Sequence, residues 1–478
     1  MKKILVVLVL LCSIPLCKAQ LVDRLEPIFA REEVATAQVS VSVRAKDGSV
    51  IFERQPKILL MPASTLKLVT TLSALDILGA EHQYRTEISY RGQISDDGTL
   101  IGDLFVVGSG DPSLGSGEDP LAADIDEVIN QVIRLVRAEN ITAIQGKIVL
   151  DDTIFDGEAV HPGWPWDDLC NYYAAGSWGI NFHENRYQVV FSRSSKTDIQ
   201  TTINSIVPLF PGASHHNMIC TGPLGSGDNA YIYGDPYAAE RSIRGTIPPG
   251  RGAFEIEGAV PDGPMFFGSL LEQALAREGI SVTGVVRGNS STHSYQSLGS
   301  LSSPRLLDLV SFANHESDNL YCDAFLKSVG AMAEGQGSWE SGVRAIRDHI
   351  NSLDVMSSGL RQVDGSGLSS RNRLSPDFMT SFLVRQLRSH GTQTLQYIIP
   401  EVGSDGTVKR FMEEREGQDY YWLKSGSINS VVAYAGLLVL SQEEPIVVSI
   451  VANGHSVSNR VMRNHLADIL EEIYQELK

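Results

Sequence analysis

Between Ala37 and Pro56 the chain reads AQVSVSVRAKDGSVIFERQP, with apolar and polar residues alternating on both sides of Lys46-Asp47-Gly48. That period of two, broken by a tight-turn sequence, predicts a β-hairpin. Next, MPASTLKLVTTLSALDILGA (61–80) places a proline and small polar residues ahead of an apolar pattern with helical spacing. A largely buried helix is expected there, with Ser64 at or near its N-terminus. The far end of the chain has a matching character. YYWLKSGSINS and VVAYAGLLVL read as neighbouring strands, PIVVSIVANG as a third, and NRVMRNHLADILEEIYQELK as a long amphipathic helix. Between the ends, from roughly Tyr90 to Ser290, the chain is rich in Gly, Pro and Asp. Short alternating segments such as LFVVGSG, GKIVLDD and RYQVVFSR suggest mostly β insertion material, with little sustained helix before SLLEQALAREG. No internal repeat or low-complexity tract is evident.

The first residues, MKKILVVLVLLCSIPLCKAQ, place Lys2 and Lys3 before an apolar run from Ile4 to Leu11, then small and turn-forming residues. This is the pattern of a secretory signal over residues 1–19, too short to persist as a membrane anchor across a core of about 30 Å. An exported, most readily periplasmic, mature chain beginning near Gln20 is expected. Its length suggests about three domains. The formal net charge of −18 excludes nucleic acid and anionic membrane surfaces as natural partners. Beyond the leader only Cys170, Cys220 and Cys322 remain, too few and too widely spaced for a disulfide framework or a zinc knuckle. They read as small buried hydrophobes, with one disulfide allowed and none required.

Three short strings carry chemistry. Ser64-Thr65-Leu66-Lys67 places a hydroxyl and an amine at i and i+3 of a helix, within mutual reach, as a nucleophile and its base require. For Lys67 to accept a proton near neutral pH it must be largely uncharged, which burial and a second cation such as Lys424 promote. Ser317-Asp318-Asn319 falls at a junction between an apolar helical segment ending near Phe312 and another beginning near Leu320. There Ser317 could relay a proton and the Asn319 amide could hold Lys67 and a substrate carbonyl; helix capping is the competing reading. Lys424-Ser425-Gly426-Ser427 lies on an expected strand, where alternation directs Lys424 and Gly426 one way and Ser425 and Ser427 the other. Gly426 lets another group approach the backbone closely. Each string alone is weak, but the three occur in one order on the element types that the chemistry needs. No His-Glu-x-x-His, Cys-x-x-Cys or calcium-loop string occurs, so no metal or other cofactor is expected. GSGDPSLGSG lacks phosphate-loop spacing and reads as a loop, as does His215-His216.

With these motifs, and with GSGDPSL (108–114), GWPWDDLCNYYAAG (163–176) and above all VDGSGLSSRNRLSP (363–376), the sequence resembles the low-molecular-mass class C penicillin-binding proteins, which are D-alanyl-D-alanine carboxypeptidases and endopeptidases. The resemblance spans nearly the whole mature chain. It implies an α/β (α+β) fold with a penicillin-binding, serine β-lactamase-like transpeptidase domain, an antiparallel sheet flanked by helices. Ser64 and Ser317 lie roughly 250 residues apart, so an insertion between the first two motifs is implied and the catalytic domain is discontinuous. The expected parts are 20–90 and 291–478 for the catalytic domain and 91–290 for the accessory insertion.

Carried over by resemblance, Ser64 is the acylated nucleophile, Lys67 its base, and Ser317, Asn319 and Lys424 the proton-transfer and orienting set. Ser425 and Ser427 bind the substrate's terminal carboxylate, Gly426 lies beside them, and the backbone N–H groups of Ser64 and Ser427 form the oxyanion hole. Serine at 425 stands where the family commonly has threonine, which keeps the hydroxyl. Asp168, Arg371 and Asn429 resemble positions that contact the stem peptide or its diamino acid. The implied partners are peptidoglycan stem peptides and, as covalent inhibitors, β-lactam antibiotics. Two rival readings remain: a β-lactamase or esterase on the same scaffold, and a non-catalytic cell-wall-binding scaffold. Carboxypeptidase and endopeptidase action stay open, as do oligomeric state and diamino acid preference.

Overall fold

A computed structural model describes residues 21–290 and 295–478. The signal expected over 1–19 lies outside the described residues. The chain forms two compact units, one built from residues up to Ile77 with Val310–Asp318 and Val343–Lys478, the other from Leu78–Leu309 and Asn319–Gly342.

The first unit is organised by a five-stranded antiparallel sheet in the order Tyr421–Ile428, Val431–Leu438, Ile446–Asn453, Gln38–Ala45, Val50–Arg54. Its two chain ends are knitted together by the pairing of Gln38–Ala45 with Ile446–Asn453, in a register that sets Gln38 opposite Asn453 and Ala45 opposite Ile446. Val39, Val41 and Val43 alternate onto one face, with Val432, Tyr434, Val448 and Ile450. There they bury against Leu466, Ile469, Leu470 and Ile473 of the C-terminal helix Asn459–Leu477, each side chain contributing about 1.5–3 kcal/mol.

The opposite face is buried too, which the polar half of the alternation does not announce. Ser40 and Ser42 have no exposed surface, and the Ser42 hydroxyl lies 2.8 Å from that of Thr380 on the long helix Pro376–Ile398. On this same face Gly426 is registered with Ala433 and Lys424 with Ala435. Ala433 packs with Leu60 and Val451. Small side chains here leave room for the turn that carries Ser64.

The second unit is β-rich. A six-stranded mixed sheet contains Arg85–Ile94, Thr99–Val107, Ile148–Asp151, Val285–Arg287 and Gln296–Ser302, with Ala143–Ile144 beside it, and two three-stranded sheets accompany it. Two features correct the sequence reading. A 14-residue helix, Ile125–Ala138, precedes SLLEQALAREG, and Asp124 caps it by accepting the Glu127 N–H. Val128, Ile129, Val132, Ile133 and Val136 form its buried stripe. His215 and His216 are not in a loop but on the strand Ser214–Thr221, where the His215 ring lies 3.0 Å from the Tyr187 hydroxyl and burial lowers its pKa to about 4. Cys170, Cys220 and Cys322 are free thiols.

Candidate active site

The nucleophile candidate sits on a 3₁₀ turn, Ala63–Leu66, that runs directly into the helix Lys67–Leu78. Ala63 has φ +47°, a left-handed conformation that costs a non-glycine residue on the order of 1 kcal/mol. The turn is held by the Thr65 hydroxyl, which donates to the Pro62 carbonyl at 2.7 Å. Ser64 is half-buried, whereas Lys67 is fully buried at the start of the helix. The Lys67 Nζ donates to Ser64 Oγ at 3.0 Å, the geometry expected from the i, i+3 spacing.

A second acceptor for Lys67 comes from the segment 363–376, in which the sequence reading gave a role to Arg371 alone. Lys67 Nζ donates to the Ser366 carbonyl at 2.7 Å, and one helical turn on, the Thr70 hydroxyl donates to the Gly365 carbonyl at 2.7 Å. The loop owes its shape to Asp364, which has no exposed surface. Its carboxylate accepts from the Gly367 N–H (2.9 Å), the Ser369 N–H (2.7 Å) and the Asn372 side-chain amide (2.8 Å). Asn372 in turn accepts from the Val363 N–H at 2.8 Å. An acidic residue followed by glycines and serines is a visible turn signal, but its aim at Lys67 is a long-range fact that periodicity does not contain.

The strand Tyr421–Ile428 abuts this turn. A Cβ on Gly426 would lie 2.6 Å from the Pro62 carbonyl oxygen and 3.1 Å from the backbone nitrogens of Ser64 and Thr65. Only glycine permits that approach. The alternation expected for this strand is observed: Lys424 and Gly426 are buried, Ser425 is half-buried and Ser427 exposed. Lys424 Nζ donates to the Ser425 carbonyl at 3.2 Å. The Ser425 hydroxyl is 2.7 Å from that of Thr407, and Ser427 Oγ accepts from Asn459 (2.8 Å) and from the Arg463 guanidinium (3.1 Å). Thr407 and Arg463 were not foreseen. This strand is at the edge of its sheet, and its outer side is bridged by Pro400–Val402 only as far as Leu423. From Ser425 onward that edge is without a ladder partner among the described residues.

Ser317 follows the helix Leu306–His315 and has φ +60°. Ser317 and Asp318 belong to the first unit, together with Ser64, Lys67 and Lys424. Asn319 opens the helix Asn319–Glu334 and belongs to the second, where its amide donates to the Tyr173 carbonyl at 2.6 Å. In that same unit the Tyr173 hydroxyl donates to Asp168 at 3.1 Å. Burial raises the Asp168 pKa above the ordinary carboxylate value. Arg371 is exposed, with its backbone N–H on the Ser369 hydroxyl, and Asn429 is exposed just beyond the strand that carries Lys424. Among the described residues no group of three or more His, Cys, Asp or Glu side chains could hold a metal ion, and no helix is long and apolar enough to cross a membrane.

The chain is similar to known proteins over most of its length. The chain is 28% identical over 454 residues to a D-alanyl-D-alanine carboxypeptidase of Actinomadura sp. (strain R39), covering 92% of this chain and 82% of the relative. The D-alanyl-D-alanine carboxypeptidase DacB of Haemophilus influenzae is 22% identical over 446 residues, covering 91% and 90%. The crystal structure of penicillin binding protein 4 (dacB) from Haemophilus influenzae superposes with a TM-score of 0.80 at 22% identity, covering 96% of this chain and 99% of that one. At 14% identity and a TM-score of 0.53, Bd3459, a predatory peptidoglycan endopeptidase from Bdellovibrio bacteriovorus, shares the fold over 92% of this chain and 93% of its own. The model of the D-Ala-D-Ala carboxypeptidase 3 (S13) family matches residues 21–473, and to that family of serine peptidases the chain belongs.

Proposed function

We propose that the protein hydrolyses the terminal D-alanyl-D-alanine bond of peptidoglycan stem peptides through an acyl-enzyme on Ser64. The observation that carries this reading is the buried Lys67 amine, 3.0 Å from Ser64 Oγ and anchored by the Ser366 carbonyl. As Ser64 Oγ bonds to the D-alanyl carbonyl carbon, neutral Lys67 takes the hydroxyl proton. Charge then collects on the carbonyl oxygen, which the N–H groups of Ser64 and Ser427 are suited to receive. Collapse of the tetrahedral state breaks the C–N bond, and D-alanine leaves with a proton relayed through Ser317. Water then attacks the ester, its proton returns through Lys67, and Ser64 is regenerated. Lys424 supplies a fixed positive charge that disfavours the ammonium form of Lys67, and Asn319 orients the substrate amide.

The substrate backbone adds to the open edge from Ser425 to Ile428. Its terminal carboxylate is held by Ser425 and Ser427, with the Arg463 guanidinium on Ser427 adding charge. Asp168, Arg371 and Asn429 contact the stem peptide. A D-alanyl cross-link presents the same carbonyl, so endopeptidase action uses the same residues. β-Lactams acylate Ser64 by ring opening, and the enzyme acts after export to the periplasm. The test is release of D-alanine from a pentapeptide ending in D-Ala-D-Ala. Wild type should release it and Ser64→Ala should not; equal release by both would overturn the assignment.

A further inference from the structure

In the first unit a cavity of about 560 Å³ opens between the strap 353–359 and one face of the helix Pro376–Ile398. Lys57, Arg385 and Arg388 line it, together with the apolar side chains of Val355, Met356 and Phe378. Of the carboxylates in its wall, Asp377 is already engaged by Arg44, which leaves Asp354. Lys57 and Arg385 are exposed and make no hydrogen bond or ion pair among the described residues. Arg388 donates to the Lys46 carbonyl at 3.2 Å through one nitrogen. The chain carries 57 acidic residues against 39 basic ones, yet three cations gather in this recess, and of these only Arg388 acts on a carboxylate, that of Asp47 on the neighbouring turn.

The cavity has the volume of a small-ligand site, and its chemistry pairs cationic groups with an apolar floor. We propose that it is a second substrate subsite, which takes the carboxylate-bearing end of another stem peptide of the same polymer. This rests on the function proposed above. Each uncleaved stem peptide ends in a free carboxylate, so a peptidoglycan strand presents them repeatedly, and the alanine methyl groups suit the apolar floor. The reach is adequate. Lys57 and Ser64 are seven residues apart, so their separation cannot exceed about 25 Å even fully extended. A single strand can therefore occupy both places, raising the local concentration of cleavable ends.

The test uses the full mature chain and the variant Lys57→Gln/Arg385→Gln; Arg388 is left intact because it supports the Lys46 backbone. Co-sedimentation is measured with purified peptidoglycan freed of phosphate-bearing polymers, with its carboxylates intact or capped as methylamides, and with wall material that retains those polymers. The double substitution and the capping should each weaken binding about tenfold at low salt, and the difference should vanish at about 1 M salt. Hydrolysis of a short soluble D-Ala-D-Ala peptide, which cannot span both places, should change less than about twofold, with an unchanged Tm. Binding that is indifferent to the substitutions or to capping would overturn the proposal, as would binding only to the phosphate-bearing wall. Failure of the wild type on the short peptide would instead overturn the peptidase reading, and co-sedimentation would still report on the cavity.

Discussion

Replacing Asp364 with asparagine changes one oxygen for an NH2 group in a fully buried side chain, and the geometry predicts a loss of function. The carboxylate receives three donors at 2.7–2.9 Å and has no exposed surface. Asparagine keeps one acceptor atom. Whichever way its amide is set, an NH2 faces either the Ser369 N–H or the pair from Gly367 and Asn372. At least one buried donor is then unsatisfied and the remaining bonds lose their charge, at a cost of about 2–4 kcal/mol. The loop can relieve that cost only by moving, and it carries the Ser366 carbonyl that anchors Lys67 at 2.7 Å. A displacement of about 1 Å in a catalytic group is worth about a hundredfold in rate. The second-order rate of acylation by benzylpenicillin should therefore fall by about 10- to 100-fold, alongside a lower Tm. An Asp364→Asn enzyme that acylates within about threefold of wild type, at an unchanged Tm, would refute the argument that this loop positions the base.

Gly426→Ala should slow acylation by about 10²-fold or more, as for loss of an oxyanion donor, because its methyl would press on the Pro62 carbonyl and push the strand from Ser64; stopped-flow with a chromogenic β-lactam reads this. Burial alone would raise the Asp76 pKa, but hydrogen bonds from His349, His390 and Gln386, each 2.8 Å, outweigh it and hold the carboxyl well below its usual range. Its stabilisation is thus complete above about pH 4 and lost as pH falls through the depressed value, so Asp76→Asn should cost about 2–4 kcal/mol in urea at pH 6 and progressively less below pH 4. Asp111 is the reverse case: burial raises its pKa to about 6, so the folded state holds a proton that the unfolded chain has released. Stability should fall by about 3 kcal/mol between roughly pH 4 and 6 on this account. Asp111→Asn, which keeps the acceptor for Ser113, should therefore stabilise at pH 8 and be neutral at pH 4 in the same denaturant assay.

Much of this arrangement is local and was legible. The hairpin of Gln38–Ala45 with Val50–Arg54, the three C-terminal strands and the helix Asn459–Leu477 follow from period-two and helical spacing over short stretches. The pairing of Lys67 with Ser64 follows from i, i+3 geometry alone. The helix Ile125–Ala138 was overlooked although its apolar spacing is plain, because the surrounding Gly, Pro and Asp content set the expectation of strands. Other features have no local signature. The partners of Asp364 are close in sequence, but its purpose is visible only once Ser366 meets Lys67, roughly 300 residues away. Arg463 reaches Ser427 across a sheet–helix contact that no spacing rule supplies. Burial of both Ser42 and Val43 likewise reflects helices on both faces of the sheet, whereas alternation predicts one wet face.

The central claim is that Ser64 forms the acyl-enzyme. It is tested most directly by intact-mass measurement after exposure to benzylpenicillin, with peptide mapping of the adduct, on wild type and Ser64→Ala. The account predicts a stable penicilloyl adduct on the peptide containing Ser64, absent from the folded variant. An adduct on another residue, or none on a folded wild-type protein, would contradict it.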